Sequence, residues 1–233
     1  MITYFKLFLI VIHTTICSVL ALIFAFIERR FIVYFWISKL FSGGILLITG
    51  IKLKVEGFEN IDPKATYVFV SNHSSQFDIT ALQYGIPNRL AMIYKKELSK
   101  IPLFGWQLAA GPYVSIDRKN AESALKSIQK AKQIMQEKNV SILVFAEGTR
   151  SPDGQIQEFK RGAFRLASSV GYPIVPITII GSSRIMPKGK LKFNKGEMIM
   201  RIDKPIPTQE LKSRLDEMTM MKTIRDIIIK NSN

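Results

Sequence analysis

Cysteine is nearly absent from this chain. Its 233 residues include one, Cys17. A single thiol excludes a disulfide within the chain and a cysteine-based zinc site, and its place deep in an apolar run counts against a cysteine nucleophile. Histidine is almost as scarce, with His13 and His73 alone. His13 shares the apolar run, where a neutral buried ring is expected, so His73 is the one imidazole available to chemistry in water. Acidic residues are few: 18 Asp and Glu stand against 33 Lys and Arg, a formal net charge of +15. Lys6, Arg29, Arg30 and Lys39 against Glu28 leave +3 on residues 1–50, and +12 falls on the remainder. So basic a domain seeks phosphate, in nucleic acid, an anionic membrane or a phosphorylated substrate. There is no Gly-x-Ser-x-Gly elbow, Walker loop or Gly-x-Gly-x-x-Gly. Repeats and low-complexity stretches are also missing. The length suits one sizeable core with an appendage.

What is present begins with apolar sequence. Leu7 to Ile27 carries no charge if His13 is neutral, and as a helix it would be ~31 Å long, enough to cross a hydrocarbon layer. Glu28-Arg29-Arg30 interrupts, and Phe31 to Thr49 is apolar again. A cleaved signal peptide does not fit, because the second run follows at once with no small-x-small cleavage site before it. Residues 1–50 are therefore expected to anchor the chain to a membrane, and 51–233 to form the soluble-facing domain. Arg29 and Arg30 suggest a cytoplasmic side after the first helix. Lys39, Tyr34, Trp36 and the pair Gly43-Gly44 suit a second segment that is kinked or lies along the interface, or a shallow hairpin in one leaflet, with the domain on the cytoplasmic face.

Beyond residue 50, strand patterns alternate with helical ones. Ile51 to Val55, Tyr67 to Val70, Leu90 to Tyr94, Tyr113 to Ile116, Val140 to Phe145, Ile174 to Ile180 and Met198 to Ile202 read as strands. Pro176 suggests that its strand is an edge or has a break in pairing. Helices are expected up to about Gln83, from Ala121 to Glu137 after an Asn120 cap, from Gly162 to Gly171, and from Thr208 to Lys230. The last should show a stripe of Leu211, Leu215, Met218, Ile224 and Ile228. Lys95 to Trp106 is basic and holds Pro102 and Gly105, and Lys188 to Lys195 reads as a basic hairpin-like stretch. The alternation predicts an α/β fold: a largely parallel sheet flanked by helices, with an N-terminal apolar helical membrane segment.

Two stretches carry chemistry. Asn72-His73-Ser74-Ser75-Gln76-Phe77-Asp78 follows an apolar strand and precedes a helix. Five steps of 100° would set His73 and Asp78 ~140° apart on one helix, so they meet only if His73 is in the loop and Asp78 in the first turn. A carboxylate on one ring nitrogen fixes the tautomer and raises the basicity of the other. The alternative is a capped helix start with an incidental histidine. The second stretch, Phe145-Ala146-Glu147-Gly148-Thr149-Arg150-Ser151, directly follows a buried strand.

With both blocks in order, the chain resembles the glycerolipid acyltransferases typified by the 1-acyl-sn-glycerol-3-phosphate acyltransferase family. That family has Asn-His-x-x-x-x-Asp, a block ending in Arg, Phe-Pro-Glu-Gly-Thr-Arg-Ser, and a short Val-Pro strand. Here they are Asn72 to Asp78, Ile116-Asp117-Arg118, Phe145 to Ser151, and Val175-Pro176-Ile177. The resemblance runs from about Lys52 to Pro205, and Ala146 stands where the family usually has Pro. It implies transfer of a fatty acyl group from an acyl thioester, acyl-CoA or acyl carrier protein, to the free hydroxyl of lysophosphatidic acid in phospholipid biosynthesis. An acceptor such as glycerol 3-phosphate or another lysophospholipid is the alternative. Phosphatidic acid would be the product, with no metal, no cofactor and no nucleic acid involved.

The implied roles follow. His73 is the base and Asp78 its orienter. Arg150, then Arg118, and more weakly Lys160 and Lys96, bind the phosphate. Gly148 and Thr149 supply backbone amides around the substrate, and Glu147 holds Arg150 or meets the glycerol. Val175, Pro176 and Ile177 line an acyl tunnel or pack the core. A basic nucleic-acid-binding module with a membrane anchor is the remote alternative. The basic Lys188–Lys195 stretch has only Phe193 interleaved, where such a module wants several aromatic residues.

Overall fold

The computed structural model describes residues 2–117, 121–190 and 192–232. Two helices open the chain, α1 (Ile2–Ile27) and α2 (Ile32–Thr49). The strands are β1 (Ile51–Glu56), β2 (Val68–Ser71), β3 (Leu90–Lys95), β4 (Val114–Ile116), β5 (Ser141–Phe145), β6 (Ile174–Ile180) and β7 (Gly196–Ile202). Between and after them lie α3 (Phe77–Gly85), α4 (Phe104–Ala110), α5 (Ala121–Lys138), α6 (Gly162–Val170), α7 (Ser182–Ile185) and α8 (Arg214–Ser232). The seven strands form one sheet in the order β1-β7-β6-β2-β5-β3-β4. Every neighbouring pair is parallel except β6 and β7. The expected α/β class with a largely parallel sheet is what the chain adopts.

Both faces of the central strands are buried, as helical crossovers require. Side chains alternate along β2, so Val68 and Val70 enter one core and Phe69 the other. On the first side pack Cys17, Tyr34 and Phe35, Ala131 and Met135 of α5, Phe164 of α6, and Ile224 and Ile228 of α8. On the second side lie Phe77 and Leu82 of α3 with Leu46, Phe193, Met198 and Met200.

The helical hairpin α1–α2 joins these cores at its inner face. The Tyr34 hydroxyl donates to the Gln107 backbone and side chain, and the Tyr113 hydroxyl to Ser38 Oγ at 3.0 Å. The outer face is apolar and bare, with Trp36 74% and Leu47 83% exposed. Both helices are long and apolar enough to cross a membrane. Exposed apolar surface on this scale is compatible with membrane association. α2 runs unbroken through the Gly43-Gly44 pair. A Cβ on Gly44 would lie 2.2 Å from His13 Nε2, so the glycine is there to let the His13 ring of α1 lie against α2. That ring donates through Nε2 to the Phe41 carbonyl at 3.1 Å.

Two expectations are corrected. β6 is not an edge strand: it pairs β2 on one side and β7 on the other. Pro176 is tolerated because the β7 ladder starts one residue later, at Ile177, and the Pro176 carbonyl still accepts the Asp203 amide at 3.0 Å. The final helix begins at Arg214 rather than Thr208. Ser213 Oγ accepts the Asp216 amide, and Asp216 Oδ2 accepts the Ser213 amide at 2.8 Å, a reciprocal cap. Of the expected stripe, Ile224 and Ile228 are buried in the core while Leu215 and Met218 face out. Within Lys95–Trp106, a 3-10 turn at Lys96–Lys100 leads into the start of α4.

Candidate active site

The parallel strands deliver their following loops to one edge of the sheet, the usual place for a ligand in such folds. β2 ends beside β5 and β6, so the loops carrying His73, Glu147 to Arg150, and Gly181 to Lys188 converge there. Asn72 ties the β2 end to β6. Its side-chain amide donates to the Ile179 carbonyl at 2.9 Å, and its oxygen accepts the Ile179 amide at 2.8 Å.

His73 lies in the loop and Asp78 is the second residue of α3. His73 Nδ1 is 2.9 Å from Asp78 Oδ2. The same oxygen accepts the Ser74 amide at 2.7 Å and the Ser75 amide at 2.8 Å. An ionised carboxylate only accepts, so Nδ1 carries the proton and Nε2 presents its lone pair. Asp78 is wholly buried while the His73 side chain keeps 11% of its surface exposed. Water is thus kept from the orienting charge, and the imidazole remains reachable. The ring also lies flat on Phe145, with centroids 3.9 Å apart and planes 17° off parallel.

Glu147 faces inward. Its Oε1 accepts the His73 backbone amide at 2.8 Å, and the Ser151 amide donates to the His73 carbonyl at 2.7 Å. The expected Glu147–Arg150 pair is not made among the described residues, because the carboxyl is turned into the core, 3% exposed. Burial pushes this carboxyl up to about 7, aided by the Asp78 charge and opposed by the His73 and Gln157 amides and Arg225. The folded state therefore binds more protons than the unfolded chain between the ordinary value of 4.5 and about 7, and stability falls as pH rises through that window. Glu147→Gln keeps an oxygen for the His73 amide and removes the titration. Its unfolding midpoint, measured from pH 5 to 8, should lack the decline that wild type shows. Parallel curves for the two proteins would assign the decline to another group.

The remaining expected residues take distinct places. Arg150 is half-buried, and among the described residues its guanidinium makes no hydrogen bond or ion pair. Thr149 is exposed. Gly148 has a φ of +72°, and a Cβ there would meet Lys160 Cδ at 2.9 Å, so the Lys160 stem lies across the glycine. Lys96 opens the turn after β3, two strands from β2 in the sheet and hence ~10 Å across, with Asp117 at 3.9 Å. Arg118 and the Asn120 cap lie outside the described residues. Val175 and Ile177 are fully buried against Phe69 and Phe77, and Pro176 is aligned with Val70, so these three pack the core.

Sequence reasoning missed Phe145 as the platform for the base, although an aromatic residue ending the strand before Glu147 was a usable signal. It also missed the segment after β6. Ser74 Oγ lies 2.9 Å from Ser182 Oγ, and Ser75 Oγ donates to the Met186 carbonyl at 2.9 Å, so this segment walls the His73 loop.

A family model described as Acyltransferase matches residues 52–180. A 1-acyl-sn-glycerol-3-phosphate acyltransferase of Limnanthes douglasii is 31% identical over 195 residues, covering 83% of this chain and 68% of that protein. A 1-acyl-sn-glycerol-3-phosphate acyltransferase alpha of Bos taurus is 32% identical over 206 residues, covering 88% and 69%. The crystal structure of the 1-acyl-sn-glycerophosphate acyltransferase PlsC from Thermotoga maritima superposes with a TM-score of 0.83 at 26% identity, covering 99% of this chain and 92% of that one.

Proposed function

The chain belongs to the acyltransferase family, and from that premise we propose that it acylates lysophosphatidic acid to phosphatidic acid, with an acyl thioester as donor. The observation that carries the chemistry is the His73–Asp78 pair at 2.9 Å, which leaves Nε2 without a partner among the described residues. The acceptor hydroxyl gives its proton to Nε2 as its oxygen attacks the thioester carbonyl. The buried Asp78 charge stabilises the imidazolium that forms. Collapse of the tetrahedral intermediate breaks the carbon–sulfur bond, and His73 returns the proton to the departing thiolate. No residue is acylated, and the step calls on no metal or cofactor. Arg150 pairs with the acceptor phosphate through its planar fork, Lys160 and Lys96 add positive charge, and the family pattern assigns Arg118 to the same anion. The Gly148 and Thr149 backbone cups the anion. Acyl-CoA and acyl carrier protein both supply the required thioester.

The experiment is acyl transfer by the purified protein with a palmitoyl thioester and a panel of lysolipids and glycerol 3-phosphate. Phosphatidic acid should be the dominant product. Equal or better use of a phosphodiester lysolipid would overturn the acceptor assignment.

The reading also places α1 and α2 as a hairpin in one leaflet, with the domain on the cytoplasmic face beside Arg29 and Arg30. Trp36→Lys with Leu47→Lys puts two charges on the bare face. That variant should shift from the membrane to the soluble fraction on flotation while keeping its fold. Undiminished flotation would remove this face from the anchor.

A further inference from the structure

A groove of about 280 Å³ opens beside the His73 loop. Ser74, Ser151, Gly154, Ser183, Arg184 and Lys188 line it. It starts one residue from the base, since Ser74 follows His73 and the Ser151 amide is bonded to the His73 carbonyl at 2.7 Å. Its volume is below the ~300–1,000 Å³ of sites that enclose a whole drug-sized ligand, and suits a small polar head. Arg184 is exposed, and among the described residues its guanidinium has no hydrogen-bond or ion-pair partner. Lys188 Nζ donates to the Arg150 carbonyl at 2.7 Å, which leaves two ammonium protons for a ligand. One carboxylate, Asp153, shares the groove. The Gln155 amide at 3.0 Å and the Ser151 hydroxyl at 2.8 Å occupy its Oδ1 and hold it below the usual carboxylate range. Two cations against that one satisfied carboxylate leave the groove positive, with hydroxyls along its wall.

We infer that Arg184 and Lys188, from the segment after β6, complete a cradle for the phosphomonoester of the acceptor, opposite Arg150. This rests on the proposed acceptor and adds to it. Arg150 arrives from β5 and these two residues from β6, on either side of the β2 loop that carries the base. A dianion gripped from both sides is bound more tightly than one held by a single cation, so the second grip acts on affinity for the acceptor.

Arg184→Gln is the informative variant, because among the described residues the Arg184 guanidinium has no other partner, whereas Lys188 also bonds the Arg150 carbonyl. The assay uses full-length protein in neutral mixed micelles, which removes attraction to an anionic surface. KM for lysophosphatidic acid should rise roughly 10- to 150-fold, as for loss of a charge-assisted hydrogen bond, while kcat and the donor KM stay within about twofold. Lys188→Gln should raise KM in the same direction. An unchanged KM in Arg184→Gln, or a donor KM that rises in parallel, overturns the inference. A wild type that leaves lysophosphatidic acid unacylated defeats the proposed function and this inference together. A wild type that acylates it while Arg184→Gln keeps its KM defeats this inference alone.

Discussion

Replacing His73 with alanine should lower turnover by about three orders of magnitude or more, the upper range for a lost general base combined with lost positioning. The geometry explains why no neighbour can take over. Among the described residues the only other imidazole, His13, is bonded to Phe41 within the α1–α2 hairpin. Glu147 is committed to the His73 amide and 97% shielded, at 3% exposure. Asp78→Asn should cost less. A carboxamide oxygen can still accept from the loop, but the charge that stabilises the imidazolium is gone. The measurement is single-turnover acyl transfer at equal amounts of folded protein, with flotation confirming membrane attachment. Activity of His73→Ala within tenfold of wild type would remove His73 from the reaction.

How much of this was legible in the sequence depends on whether the cause was local. The His73–Asp78 meeting was readable, because a loop residue and a first-turn residue are placed by a helix start alone. The strand set was readable too, since buried parallel strands appear as short continuous apolar runs. Longer-range causes were not visible. Glu147 reads as a partner for the arginine three residues on, and only the fold brings the His73 amide, 74 residues away, to its Oε1. Pro176 reads as an edge or a break in pairing, and only the strand order decides between them: the missing donor falls where the β7 ladder begins. α4 was hidden by Pro102 and Gly105. A Cβ on Gly105 would sit 2.3 Å from the Leu98 carbonyl oxygen, so the glycine reflects close packing onto the preceding turn rather than a loop. For α8, the capping pair Ser213 and Asp216 was in plain view, but the apolar Leu211 drew the helix start too far upstream. Leu211 is buried as part of the turn before the helix, not on its face.

Arg150→Lys should be a severe change despite keeping the charge. The guanidinium is half-buried and, among the described residues, unpaired, so it is free to take an anion. It sits two residues past Gly148, whose positive φ of +72° turns the chain away from β5. A phosphomonoester carries close to two negative charges at neutral pH and offers oxygens matched to a planar fork. Lysine offers a point charge and loses the second bond. A charge-assisted hydrogen bond contributes about 1.5–3 kcal/mol net, so efficiency toward lysophosphatidic acid should fall roughly 10- to 150-fold. The loss should be smaller for an unphosphorylated acceptor such as a monoacylglycerol, which never made the contact. The quantity to measure is the ratio of the two efficiencies, in wild type and in Arg150→Lys. A drop shared equally by both acceptors would mean that Arg150 braces the loop, in keeping with the Lys188 bond to its carbonyl at 2.7 Å. The phosphate would then be held chiefly by other cations, Lys160 of the same β5–α6 connection and Arg184 after β6 first among them.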